Sequence, residues 1–283
     1  MTHMSGAAAK NDVPLVASPY DLRVSLGERI RESQTQAALK SGELGFIHSF
    51  TTGSAVDGPG VRVVVWLTGC HFRCVFCHNP DTWKVNNGIP VPLGRAVEEV
   101  RKYGHGLRTM KGGLTVSGGE PLLQDRFVIK VFRAVRQANI HTTLDTNGYL
   151  GDRLSDADLG ACDLVMLGLK AVDAELHRRI TGMDNAPVLA FARRLAALGR
   201  PMWLRWVLVP GLTDSGNEIA RVAEFAAELG NVEQVELLPF HQLGRFKWER
   251  LGMPYECGET APPSSAQIDE AMDVFRRAGL QVH

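Results

Sequence analysis

From Leu44 onward, short apolar runs rich in β-branched residues alternate with stretches whose apolar positions recur at helical spacing. The runs that read as strands are 62–67, 114–116, 141–144, 164–169, 202–209 and 235–238. Between and after them, helices are expected over 93–103, 125–138, 174–180, 187–198, 215–229 and 265–278. Thr213, Asp214 and Ser215 before the fifth helix, and Ser264 and Ser265 before the last, supply N-cap oxygens. Gly199 and Gly230 stand where helices stop. Strand–helix repetition implies an α/β fold with a parallel sheet and right-handed crossovers. Six units fall short of the eight of a closed barrel, so an open, partial (β/α)6 barrel is expected, with a doubly wound sheet as the alternative.

The first residues break this rhythm. Residues 1–19 are small, polar and aperiodic, as in disordered segments. Residues 21–40 read as a short amphipathic helix with Leu22, Leu26, Ile30 and Ala37 roughly on one side. The expected organisation is a flexible N-terminal extension over 1–42, read as a leader without chemistry, and one domain over 43–283.

Placed on this map, the unusual polar residues gather at strand ends. Gly118, Gly119 and Glu120 follow the second strand, and Asp145-Thr146-Asn147-Gly148 follows the third. Lys170 closes the fourth, Arg205 lies within the fifth, and His241 follows the sixth. Barrel and open α/β folds build their active sites at the carboxyl ends of strands. The loop after the first strand carries Cys70, Cys74 and Cys77 in C-x3-C-x2-C spacing.

Thiolates suit zinc, copper(I) and iron–sulfur clusters. A four-iron cube takes four cysteines, so three without a nearby fourth leave one iron open to a small molecule. A Cys3His zinc site using His71 or His78 is an alternative, though no second ligand pair of finger spacing accompanies it. Cys74-Val-Phe-Cys77-His78 also fits the short c-type haem pattern. Cys162 and Cys257 lie far from the triad and read as a packed thiol and a loop residue.

Composition narrows the class. The 283 residues are 45% hydrophobic and carry 31 basic and 31 acidic side chains, a formal net charge of +0. That balance supports neither a nucleic-acid surface nor a polybasic membrane patch. No run of 18 apolar residues and no apolar secretory region occur. A cytoplasmic protein is expected, where clustered cysteines are metal ligands or catalysts more often than disulfides.

Single residues carry weaker signals. Paired glycines let a backbone approach a ligand closely, and Glu120 beside them could accept from a ligand ammonium. Asp145 and Lys170 could hold opposite charges on one zwitterion. His241 could bind a polar group or donate a proton. Each also fits a plain structural role.

Together these residues resemble the radical S-adenosylmethionine superfamily, through C-x3-C-x2-C followed by Gly-Gly-Glu in a β/α chain. Val56-Asp-Gly-Pro-Gly-Val-Arg62, Cys77-His-Asn-Pro-Asp-Thr-Trp83, Leu144-Asp-Thr-Asn-Gly148 and Glu236-Leu-Leu-Pro-Phe-His-Gln-Leu-Gly244 further resemble the pyruvate formate-lyase activating enzymes, a family of glycyl-radical-enzyme activases. The resemblance runs from about Glu43 to the C-terminus. It implies that Cys70, Cys74 and Cys77 hold a [4Fe-4S] cluster whose fourth iron is chelated by S-adenosylmethionine. A flavodoxin- or ferredoxin-type donor reduces the cluster, and the 5′-deoxyadenosyl radical takes a hydrogen from a backbone glycine of pyruvate formate-lyase.

The resemblance also assigns residues. Gly118, Gly119 and Glu120 match the stretch at the methionine ammonium. Asp145, Lys170, Arg205 and His241 match residues around the bound cofactor, and Cys77, His78 and Asn79 the loop edge beside its adenine. Asp57 matches an acidic residue close to the target glycine loop; with Lys170 and His241 it is the expected catalytic set. Asp145, Thr146 and Met166 match part of a monovalent-cation site. The family's fourth strand reads Met-Leu-Asp-Leu-Lys, whereas this chain reads Met166-Leu167-Gly168-Leu169-Lys170. A weakened or water-completed cation site is therefore expected. No cysteines lie between Cys77 and Gly118, so the ferredoxin-like insert of several other activases is absent.

Overall fold

The computed structural model describes residues 32–283. Residues 1–19, and the part of the expected leading helix that bears Leu22, Leu26 and Ile30, lie outside the described residues. Eight strands form one sheet: β1 (Leu44–Ser54), β2 (Arg62–Leu67), β3 (Ile89–Pro92), β4 (Gly113–Gly118), β5 (His141–Thr146), β6 (Leu164–Gly168), β7 (Met202–Leu208) and β8 (Val232–Pro239). Their order is β3-β1-β2-β4-β5-β6-β7-β8. The run from β2 to β8 is parallel throughout, and β1 pairs antiparallel with both β2 and β3. The sheet is mostly parallel and open, with β3 and β8 at its two ends.

The six expected strands are these six parallel strands, and the six expected helices fall at Leu93–Lys102, Asp125–Arg136, Ala174–Thr181, Ala186–Ala197, Gly216–Leu229 and Ser265–Arg277. Ser215 accepts from the Glu218 N–H at 3.3 Å, and Ser264 forms a capping box with Gln267. Gly199 and Gly230 end helices at φ +59° and +69°, where a Cβ is strained. The two antiparallel strands are additions that the sequence reading lacked.

Parallel strands covered on both faces are apolar throughout, and β2, β4 and β6 are almost wholly buried. β7 instead alternates, with Trp203, Arg205 and Val207 half-buried between fully buried neighbours. The sheet curls, because side chains meet across intervening strands. Arg62 on β2 reaches Thr143 on β5, and Arg205 on β7 reaches Asp145 on β5.

The N-terminal boundary shifts from the expected residue 42. A helix over Glu32–Ser41 buries Thr35 and Ala38. Ala37, expected on its apolar side, is exposed. Gly42 (φ +67°) follows, and a Cβ there would fall 2.7 Å from the Arg126 backbone. The packed body thus reaches back at least to Thr35.

Candidate active site

The cysteine loop is fixed by its backbone before any ligand is considered. Gly69 N–H donates to the Thr82 carbonyl and Cys70 N–H to the Trp83 carbonyl. Arg73 N–H and Val75 N–H donate to the Thr181 and Ile180 carbonyls, the otherwise unpaired end of the Ala174–Thr181 helix. Buried Phe72 packs edge-on against Tyr149 and His177. The loop therefore presents Cys70, Cys74 and Cys77, all free thiols, to one cavity of about 210 Å³.

Burial raises all three thiols, Cys70 most and Cys74 to about 12. The charge of Lys170 opposes the shift at Cys74, and N–H groups of Asn79 and Trp83 oppose it at Cys77. Three thiols held against one space could serve as ligands to positive charge, since coordination deprotonates a thiol outright. Among the described residues no three His, Cys, Asp or Glu side chains converge on a single metal ion. A cube spreads three thiolates over three different irons, so this donor set fits a cluster better than it fits one zinc.

The glycine pair forms the next wall. Gly118 sits at φ +125°, and a Cβ there would fall 2.1 Å from the Leu67 carbonyl oxygen. At Gly119 the collision is with the Gly69 carbonyl oxygen at 2.4 Å. The pair lets the end of β4 lie backbone-to-backbone on the cysteine loop, with Gly119 N–H donating to Leu67 and Glu120 N–H to Gly69.

Glu120 departs from expectation. Its side chain does not line the cavity but is 1% exposed, accepting from Thr146 Oγ1 at 2.6 Å, Leu122 N–H at 2.9 Å and Asn147 N–H at 2.8 Å. These bonds pull its pKa down, yet burial prevails and raises it to about 7. Glu120 thus ties the ends of β4 and β5 together. Its three neighbours occupy the carboxylate that a ligand ammonium was expected to meet. Thr146 does line the cavity, with its hydroxyl committed to Glu120.

Asp145 faces the cavity, accepting from Ser117 Oγ at 2.6 Å and Arg205 Nη1 at 3.1 Å. Arg205 also lies 3.8 Å from Asp57 and 2.7 Å from Glu236, the latter an ion pair without hydrogen-bond alignment. Burial would lower the Arg205 pKa, but Asp145, Glu236 and Asp57 together raise it. Lys170 and Gly168 line the cavity, and Lys170 Nζ lies 3.3 Å from where a Gly168 Cβ would project. Buried Met166 turns its sulfur toward Gly58, below the cavity.

His78 lines the cavity, whereas His241 stands behind it, its ring stacked on His78 at 4.1 Å. Asn79 also stands back, its Oδ1 accepting from Lys247 Nζ at 2.8 Å. The segment after β8 closes over the loop through Trp248 Nε1, which donates to the Cys77 carbonyl at 2.8 Å. Cys162 and Cys257 are buried away from the cavity. Four residues here had no assigned role in the sequence reading: Ser117, Trp83, Asn147 and Glu236. Glu236 is signalled only as a charged residue in an apolar strand, and Asn147 as an Asn-Gly turn.

Known proteins are similar to this chain. Residues 64–226 match the Radical SAM superfamily. The chain is 40% identical over 241 residues to the pyruvate formate-lyase 1-activating enzyme of Escherichia coli K12, covering 84% of this chain and 98% of that one. It is 40% identical over 234 residues to the pyruvate formate-lyase-activating enzyme of Staphylococcus epidermidis, covering 80% and 93%. A crystal structure of a domain of such an enzyme from Bacteroides vulgatus aligns with a TM-score of 0.50 at 26% identity, over 61% of this chain and 98% of that one. The chain belongs to the radical SAM superfamily and, within it, to the family of pyruvate formate-lyase activating enzymes. A [4Fe-4S] cluster and S-adenosylmethionine are the cofactors of this class.

Proposed function

We propose that this chain activates pyruvate formate-lyase by generating a radical on one of its backbone glycines. The observation that carries the reading is the single cavity lined by three free thiols at the strand ends. It lies in a chain alike over nearly the whole length of enzymes named for that partner. When bound, the cluster and S-adenosylmethionine supply the hard chemistry, reductive cleavage to a 5′-deoxyadenosyl radical that takes a hydrogen atom from the glycine Cα.

The chain's own residues bind, orient and exclude water. Cys70, Cys74 and Cys77 hold three irons. Gly118 and Gly119 border the methionine end of the cofactor, with Glu120 holding that wall in place. Asp145 and Lys170 offer opposite charges to a zwitterion. His78, backed by His241 and Asn79, borders the adenine side. Arg205, matched to the surroundings of the bound cofactor, lies 3.8 Å from Asp57, matched to the neighbourhood of the target glycine loop. A flavodoxin- or ferredoxin-type protein supplies the electron, in the cytoplasm, with no part for nucleic acid or a membrane surface. Among the described residues no helix is long and apolar enough to cross a membrane.

The cation site follows the same reading. Asp145, Thr146 and Met166 remain for a monovalent cation, but Gly168 brings no carboxylate and the Lys170 ammonium fills part of that space. The site is weak or completed by water. Potassium should then change S-adenosylmethionine affinity by no more than about twofold; a dependence of about tenfold would sink the idea.

The deciding experiment is paramagnetic resonance on the reduced protein mixed with S-adenosylmethionine and pyruvate formate-lyase. A glycyl radical on that partner is expected. Its absence, with a reduced cluster present, overturns the assignment, and a radical on a different glycyl-radical enzyme reassigns the partner.

A further inference from the structure

Asn147 lies just beyond β5 in the cavity wall, and its Nδ2 is 3.9 Å from Cys70 Sγ. The two ends of an amide are told apart by their partners. Here Oδ1 accepts from the Tyr149 N–H at 2.9 Å. That neighbour can only donate, so the oxygen faces Tyr149 and the amide nitrogen faces the sulfur. The backbone holds this pose as well. Asn147 N–H donates to Glu120 at 2.8 Å, and Gly148 takes φ +76° to complete the turn. The Cys70 sulfur therefore faces a fixed side-chain N–H.

We propose that Asn147 sets the reduction potential of the bound cluster by donating its amide N–H to the Cys70 sulfur. The inference rests on the iron–sulfur reading of the cavity. Reduction adds one electron, and its charge spreads onto the sulfurs. A donor dipole aimed at a sulfur stabilises the reduced form more than the oxidised one, and so raises the potential. In a cavity with little water the effect is larger than at a surface. The role differs from ligand binding: Asn147 acts on the electron's arrival, and no bond to substrate is made or broken by it.

The test is a redox titration of anaerobically reconstituted protein, followed by the paramagnetic signal of the reduced cluster, without S-adenosylmethionine. Asn147→Asp keeps an oxygen for Tyr149 but turns a carboxylate on the sulfur. Its reduced-to-oxidised ratio at fixed potential should fall about tenfold, equivalent to about 59 mV for a one-electron couple. Asn147→Leu removes the donor without adding charge and should lower the ratio about threefold. Should the aspartate variant assemble no cluster, the leucine variant gives the same reading. Assembled clusters with an unmoved midpoint overturn the proposal. So does a loss of S-adenosylmethionine affinity at unchanged midpoint, which makes Asn147 a ligand contact. Failure of the wild-type protein to take up about four irons would instead overturn the cluster reading beneath it.

Discussion

Two arginines, one fully buried and one half-buried, sit inside one open barrel and live in opposite surroundings. The inward face of β5 carries His141, Thr143 and Asp145 in register, and each arginine meets one end of that ladder. Arg62, fully buried at the amino end of β2, bonds only to uncharged groups. These are the Thr115 and Thr143 hydroxyls, the Leu114 and Pro59 carbonyls and the His141 ring. Burial lowers its pKa to about 10, with distant Asp163 and Asp57 opposing. Arg205, nearer the thiols, faces three carboxylates and is held above its ordinary value. A fully satisfied arginine among neutral acceptors plugs the barrel floor. An arginine with a surplus of anions leaves charge for a visitor to complete, as active sites do.

The sharpest way to break this contrast is Arg62→Leu. It strands five acceptors, three of them in fully buried bonds, and the chain should lose roughly 4 kcal/mol of stability. Denaturant unfolding measures it, and Arg62→Lys should rescue little, since an ammonium lacks the planar fork. Arg205→Leu should do the reverse. Stability should move by about 1 kcal/mol, because the freed carboxylates can take up protons. Glycyl-radical formation should fall about 100-fold, the scale of losing one preorganised charge. If Arg205→Leu unfolds the protein instead, the two arginines are not different in kind.

A smaller effect is expected at Glu236. Burial raises its pKa, with Arg205 opposing and Asp145 and Asp57 adding to the rise. A carboxyl raised in this way gains its proton earlier as pH falls, and its hold on Arg205 weakens there. The wild-type rate should therefore decline on the acid side above the ordinary carboxylate range. Glu236→Gln should lower the rate about tenfold and remove that decline. An acid limb unchanged in the variant would clear Glu236 of the role.

How much of this was legible beforehand varies with the distance over which each feature is built. The parallel strands were readable to within a few residues because buried β-branched runs and helical periods are local. β1 was missed because its polar half, Thr51-Thr52-Gly53-Ser54, hides the strand, and β3 because Pro90 and Pro92 argue against one. The cysteine triad declared itself by spacing. The tie that Glu120 makes between β4 and β5 was not legible, since its residue type fits an ammonium partner equally well. Asn147 and Glu236 stood inside motifs that carry the family resemblance, but their roles were hidden because each matters through a partner far along the chain: Cys70 for one, Arg205 for the other.

The prolines of β3 have a consequence for the molecule among its own copies. Leu93 N–H, one step past β3, reaches the Glu43 carbonyl toward β1. By the two-residue period of a strand, the amides of Ile89 and Val91 point the same way, and the positions of Pro90 and Pro92 point outward. That outer margin offers carbonyls but no N–H. A neighbouring chain that tried to extend the sheet there would find no donors at two successive outward positions. This end of the open sheet is thus guarded against edge-to-edge aggregation by the same residues that disguised it as a strand.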